Sequence, residues 1–178
     1  MSKISLEPVS QYQAMLAYEF AKHCVDSNRD EYARRNQTNI SKILTDINEG
    51  KLAEYQVFNT LMLKGKNPSP PDIMIYGKND KSFDADITCG LINVHVKSCS
   101  GTSPFGNSWI FQPNDELVTR PTETDYLALC VLGEESYMYL VKAADMEYTS
   151  PVKDNLDKGV IYEDFVTTYL TMKEKNLI

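Results

Sequence analysis

Long apolar runs are missing from this sequence, and so are most motifs that announce a chemistry. No stretch approaches the ~20 apolar residues that a membrane-spanning helix needs. The leading residues MSKISLEPVSQYQ lack the apolar core of a secretion signal. Together these absences lead us to expect a cytoplasmic protein without a membrane partner. The four cysteines, Cys24, Cys89, Cys99 and Cys130, show neither CxxC nor another metal spacing, so reduced thiols are expected. There is no GxSxG elbow, no P-loop, no GxGxxG after a strand and no HExxH, which removes the usual signals of the serine hydrolases, nucleotide binders and zinc proteases. Positive charge is scarce as well: 18 Lys and Arg face 25 Asp and Glu, for a net charge of −7. This counts against a broadly basic nucleic-acid-binding surface, although it does not exclude a local basic groove around an acidic metal site.

What is present fits one domain able to bury a core: 178 residues, 42% hydrophobic and 24% charged. Residues 8–47 read as two helices, the first with Met15, Leu16, Phe20 and Cys24 on one face and the second with Ile40, Ile43, Leu44 and Ile47. Gly50 punctuates before a third helix, KLAEYQVFNTLMLKG, which Gly65 closes as a C-cap. NPSPP is a stiff turn, and a strand is expected over 72–77. The stretch FDADITCGLINVHVKSCS then alternates with period two on both sides of Gly90. It reads as a hairpin of strands 83–89 and 92–98, with Gly90-Leu91 as a two-residue type II′ turn. A loop follows, then a short strand or turn at WIFQPNDELV, a second hairpin from DYLALCVL and SYMYLVKA, and a closing helix in YEDFVTTYLTMKEKN. The expected fold class is mixed α/β or α+β.

The first hairpin carries the chemistry. Its register pairs Cys89 with Ile92, Ile87 with Val94 and Ala85 with Val96, giving one apolar face. The other face gathers Thr88 with Asn93, Asp86 with His95 and Asp84 with Lys97. The plain alternative is a solvated face with a cross-strand Asp–Lys pair. In the preceding helix Glu54, Val57, Phe58 and Leu61 share one stripe, so Glu54 lies on or beside an apolar face, where an ionised carboxylate needs a cation or hydrogen bonds.

A helix with an inward glutamate (GKLAEYQVFNTL), an Asp-bearing strand (DADIT) and a strand ending in lysine (INVHVKS) together resemble the PD-(D/E)xK nuclease superfamily. The resemblance covers residues 50–100. It implies a restriction-endonuclease-like αβββαβ core, a mixed central sheet flanked by helices. The N-terminal helical element, residues 1–48, is accessory to a core at 50–145, and 146–178 form a helical tail. By the same resemblance Glu54, Asp86 and Lys97 are the catalytic residues of a metal-dependent deoxyribonuclease, with Mg²⁺ or Mn²⁺ as cofactor and DNA as substrate. Glu54, Asp86, Asp84 and His95 are the candidate metal ligands. His95 stands where the family usually has Glu, Asp or Gln; imidazole binds transition metals but lacks the negative charge that Mg²⁺ prefers. The literal PPD at 70–72 lies before the first expected strand and is set aside. DNA contacts are expected from Ser98, Ser100, Gln112 and Lys51, with Asn114 also near the site edge. Such nucleases are often homodimers. The other reading is a catalytically inactive nuclease-fold module that binds nucleic acid or a protein partner. Trp109 is expected in the core.

Overall fold

A computed structural model describes residues 3–34, 38–76, 85–102, 107–111, 115–148 and 158–161, apart from the side chains of residues 30, 31, 34 and 158–161. Helix α1 (Gln11–Ser27) starts at a capping box: the Ser10 hydroxyl accepts from the Gln13 N–H while the Gln13 side chain accepts from the Ser10 N–H. Its buried positions are Ala17, Ala21 and Val25, whereas Met15 is 53% exposed. The buried stripe is thus rotated from the expected Met15–Leu16–Phe20–Cys24 face, because two alanines let α1 pack closely on the long helix that follows. A short helix α2 (Arg29–Arg34) precedes α3, Ile40–Leu63.

Helix α3 corrects one expectation. It begins at Asn39, whose side chain accepts from the Lys42 N–H, and runs through Gly50 without a break, joining the second and third expected helices. The expected boundary between accessory element and core therefore falls inside a single helix. A mid-helix glycine costs about 1 kcal/mol relative to alanine, and burial of Ile43, Ala53, Tyr55, Val57 and Leu61 on both sides of it offsets that cost. The other end matches the sequence. Gly65 has φ +73°, its N–H donates to the Met62 carbonyl, and the Lys66 N–H donates to the Leu61 carbonyl, which is the Schellman closure.

The central sheet is mixed and has five strands. Strands β2 (Ile87–Cys89) and β3 (Ile92–Ser100) form the expected hairpin, pairing Ile87 with Val94, Thr88 with Asn93 and Cys89 with Ile92 around Gly90 at φ +63°. β3 lies parallel to β5 (Asp125–Leu132), which pairs antiparallel with β6 (Tyr137–Lys142), and β1 (Ile4–Ser5) adds the far edge. The order is β1-β6-β5-β3-β2. Strand β4 (Ser108–Phe111) pairs with β7 (Lys158–Ile161) in a separate ribbon.

Alternation divides the sheet into two faces. Ile87, Val94, Ala128, Cys130 and Met138 pack under α3 against Ala53, Val57 and Leu61. Leu127, Leu129, Val131, Tyr139 and Val141 pack on the other face against Trp109 and Phe111 of β4 and Leu117 of the short helix α4 (Glu116–Thr119). Trp109 is buried as expected, and its Nε1 donates to the Cys130 carbonyl at 3.1 Å.

No strand forms in 72–76. Pro70 and Pro71 have no N–H to give a ladder, and the Asp72 carboxylate accepts from the Met74 N–H at 2.8 Å, so a local turn replaces a strand pairing. Among the described residues, the segment beside β2 on its outer edge makes a bridge from Pro68 to Cys89 and a pair of hydrogen bonds between Ser69 and Thr88. The fold is mixed α/β, with α3 on one sheet face and β4 and α4 on the other. The expected closing helix lies outside the described residues. Among those described, no helix is long and apolar enough to cross a membrane.

Two glycine substitutions test this backbone in opposite directions. An added Cβ meets nothing within 4 Å at either Gly50 or Gly90. Gly50→Ala, inside a continuous helix, is expected to raise stability by about 0.4–1 kcal/mol. Gly90→Ala, forced to positive φ, is expected to lower it by about 1–2 kcal/mol. Urea unfolding with an unchanged m-value measures both, and a loss at Gly50 would contradict the unbroken helix.

Candidate active site

Lys51 and Glu54 stand one turn apart on the inner side of α3, the spacing at which helical side chains meet. The Lys51 ammonium donates to Glu54 Oε2 at 2.6 Å and to the Asp72 carbonyl at 2.6 Å, and it lies 4.4 Å from the centre of the Phe20 ring. Lys51 is only 7% exposed. Burial pushes the Glu54 carboxyl up to about 7; Lys51 pulls it down, but the negative charges of Asp86 and Asp72 push it up again. The ion pair is therefore too weak a compensation for the burial and the two neighbouring carboxylates.

Asp86 comes into electrostatic reach of Glu54 through a local device. Its Oδ2 accepts the Val96 N–H at 2.7 Å, across the open end of the β2–β3 hairpin. The carboxylate is held at the sheet edge instead of standing out from a face. Asp72 brings up a third acidic group. Besides the Met74 bond, its carboxylate takes a short hydrogen bond from the Tyr76 hydroxyl. Burial opposes ionisation of Asp72, and the Tyr76 and Met74 bonds with the Lys51 charge overcome it, so its pKa lies below the ordinary value.

His95 and Lys97 lie elsewhere. Val94 and Val96 face α3, so alternation directs His95, Lys97 and Cys99 to the opposite face, where Cys99 packs against the second core. His95 Nε2 is 3.6 Å from Asp125 Oδ1. That aspartate is nearly buried at the start of β5 and accepts from Asn93 Nδ2 at 3.0 Å and from the Thr122 N–H at 2.8 Å. Burial opposes its ionisation, but the hydrogen bonds from Asn93 and Thr122 and the charge of His95 win, holding its pKa below the ordinary value. The Lys97 ammonium is 3.9 Å from Asp115 Oδ2 and 5.2 Å from the centre of the Phe111 ring.

The structure thus sets Asp86 within electrostatic reach of Glu54 and carries His95 and Lys97 to a different layer. Lys51, expected at DNA, is a buried partner of Glu54. Ser98 sits on β3 opposite Cys130, and Ser100 shares a hydrogen bond with Thr102. Asp84, Gln112 and Asn114 lie outside the described residues. Sequence reasoning set Asp72 aside with its PPD segment and missed Asp115 and Asp125. For Asp72 a signal existed in the stiff PPD segment, which returns the chain past the buried face of α3. Asp115 and Asp125 become visible only once β3 and β5 are known to run parallel.

No family model, curated protein or solved structure matches the chain.

Among the described residues, no three His, Cys, Asp or Glu side chains are grouped to hold a metal ion. The donor chemistry near Glu54 nevertheless fits a hard cation. Glu54 and Asp86 offer carboxylate oxygens only, and Mg²⁺ is commonly held by one or two carboxylates with water filling the remaining positions.

Glu54 also sets a pH dependence. Its folded pKa of about 7 exceeds the unfolded value of 4.5, so the folded protein holds a proton that the unfolded chain releases. The resulting stability is complete below the unfolded value and disappears as pH rises through the folded one. Wild-type stability is expected to fall between pH 5 and pH 7.5 relative to Glu54→Gln, whose amide does not titrate. Urea unfolding of both proteins across that window checks it, and parallel profiles would contradict the raised pKa.

Proposed function

We propose that the protein is a metal-dependent DNA endonuclease, a member of the PD-(D/E)xK superfamily with a restriction-endonuclease-like core, that hydrolyses phosphodiester bonds at a centre built on Glu54 and Asp86. The observation that carries this reading is that the charge of Asp86, held at a hairpin edge, reaches the nearly buried carboxyl of Glu54 on α3. Glu54 and Asp86 would hold a Mg²⁺ or Mn²⁺ ion, which would supply the charge that polarises a phosphodiester and acidifies water. Asp86 is fixed for that task by the Val96 N–H, and Glu54 by Lys51. Charge surplus is the useful feature: a site neutral in its resting state would gain little by taking up a divalent ion. The substrate is left at the level of DNA, since duplex sites, junctions and ends are all compatible with one fold.

The separation of His95 and Lys97 from Glu54 favours a second reading, a nuclease-fold module that binds nucleic acid or a protein partner without cutting. Added Mn²⁺ distinguishes the two. An intact cation site raises the melting temperature through mass action on the folded state, and a binding module without that site shows no shift and no cleavage.

Plasmid, linear and branched DNA incubated with Mg²⁺ or Mn²⁺ test the activity. Wild type is expected to cut at least one of them, and Asp86→Ala and Glu54→Ala are each expected to reduce the rate by roughly 10²–10³-fold. Two mutants that cut as well as wild type would remove these residues from the site. His95 makes a separate prediction. With Nε2 turned to Asp125, His95→Gln is expected to leave the ratio of Mn²⁺-supported to Mg²⁺-supported cleavage unchanged. A marked fall in that ratio would make His95 a metal ligand, because imidazole suits the borderline cation better.

A further inference from the structure

The nuclease resemblance assigns the catalytic amine to Lys97, and the geometry points elsewhere. We propose that Lys51 is the amine of the Glu54–Asp86 centre. The inference rests on the endonuclease reading and concerns which lysine serves it.

Phosphodiester hydrolysis needs a fixed positive charge within reach of the reacting phosphate, beside whatever the carboxylates hold. Among the described residues, two lysines compete for the task. The Lys97 ammonium lies on the sheet face away from α3, 3.9 Å from Asp115 and against the Phe111 ring. To reach Glu54 it would have to pass the β3 backbone. The Lys51 ammonium touches Glu54 itself at 2.6 Å. Its second bond, to the Asp72 carbonyl, ties it to the segment whose carboxylate also acts on Glu54.

Charge balance gives a second argument. Among the described residues, Lys51 is the ammonium that touches Glu54, while the charges of both Asp86 and Asp72 act on the same carboxyl. That excess of carboxylates over ammonium suits a divalent cation. A buried ion pair with only a structural task is often replaceable by apolar side chains without loss of stability. A pair set beside two further carboxylates calls for an electrostatic task instead.

In the reaction a water oxygen attacks phosphorus and the bond from phosphorus to the departing ester oxygen breaks. The attacking water loses a proton to solvent and the departing oxygen gains one from solvent. The Lys51 ammonium stabilises the negative charge that grows on the phosphate oxygens.

Lys51→Met and Lys97→Met, compared with wild type, test the assignment by single-turnover plasmid cleavage in Mn²⁺ and by the Mn²⁺-induced rise in melting temperature. Lys51→Met is expected to lose roughly 10²–10³-fold in cleavage while keeping or enlarging the Mn²⁺-induced rise, since the carboxylates remain and their internal cation is gone. Lys97→Met is expected to lose at least tenfold less than Lys51→Met. The assignment is overturned if Lys51→Met cuts within threefold of wild type, or if it loses the Mn²⁺ response together with cleavage, which would make Lys51 a support for Glu54 alone. If Lys51→Met does not melt cooperatively, Lys97→Met decides: a loss below tenfold supports Lys51, and a loss of 100-fold or more returns the role to Lys97. A wild type that neither cuts nor responds to Mn²⁺ overturns the endonuclease reading, and the role of Lys51 with it. A wild type that cuts while Lys51→Met also cuts normally overturns the role of Lys51 alone.

Discussion

The parallel ladder between β3 and β5 is the constraint on which the rest of this structure depends. It pairs Asn93 through Ser100 with Asp125 through Leu132 in one unbroken register. Parallel neighbours require a crossover, and the chain between them supplies β4 and α4, which cover the sheet face that α3 leaves open. β5 is consequently buried from Asp125 to Val131, as expected of a strand covered on both faces. The ladder also distributes the chemistry: once Val94 and Val96 are committed to the α3 side, His95 and Lys97 must take the other. At the head of the ladder the Asn93–Asp125 hydrogen bond joins the two strands side by side.

Two nearly buried carboxylates show how the layers differ. Asp125 has Asn93, Thr122 and His95 around it, a set of donors and potential positive charge, and its pKa is held below the ordinary range despite burial. Among the described residues Glu54 has one cation and two carboxylates acting on it, and burial prevails. Both pay the same kind of desolvation cost; the difference is what surrounds them. Asp125 is compensated within the fold and acts as a strut between β3 and β5. Glu54 is not fully compensated, and a buried group left short of positive charge is where an external cation has most to contribute.

Local chemistry made part of this legible in the sequence. The hairpin register followed from alternation around Gly90, the end of α3 from Gly65 and the burial of Trp109 from its apolar setting. Each depends on residues only a few positions apart. Gly50 misled because its local cost was judged without the tertiary burial on either side of it. The strand expected at 72–77 misled because Ile73, Ile75 and Tyr76 have strand composition, while the Asp72 carboxylate takes the Met74 N–H and turns the chain. The division of the hairpin's polar face was hidden for a different reason. Period two placed Asp86, His95 and Lys97 on one side, and it held for His95 and Lys97. Asp86 lies before the first paired residue of β2, where the pleat no longer fixes its direction.

That exception explains why the candidate centre lies at the hairpin's end. In an antiparallel ladder, hydrogen-bonded and non-hydrogen-bonded pairs alternate. With a two-residue loop at Gly90-Leu91, the pairs Cys89–Ile92 and Ile87–Val94 are hydrogen-bonded, and the next would join Ala85 to Val96. The Val96 N–H goes to the Asp86 side chain instead. One carboxylate oxygen thus replaces a backbone carbonyl: it satisfies the donor, ends the strand and lets the chain leave the sheet. The same bond holds the carboxylate at the edge, where its charge reaches Glu54 on α3. A residue of another type at 86 could continue the strand, but then nothing would hold a negative charge at this corner. The end of β2 and the acidic centre are one event in the chain, set by a single aspartate.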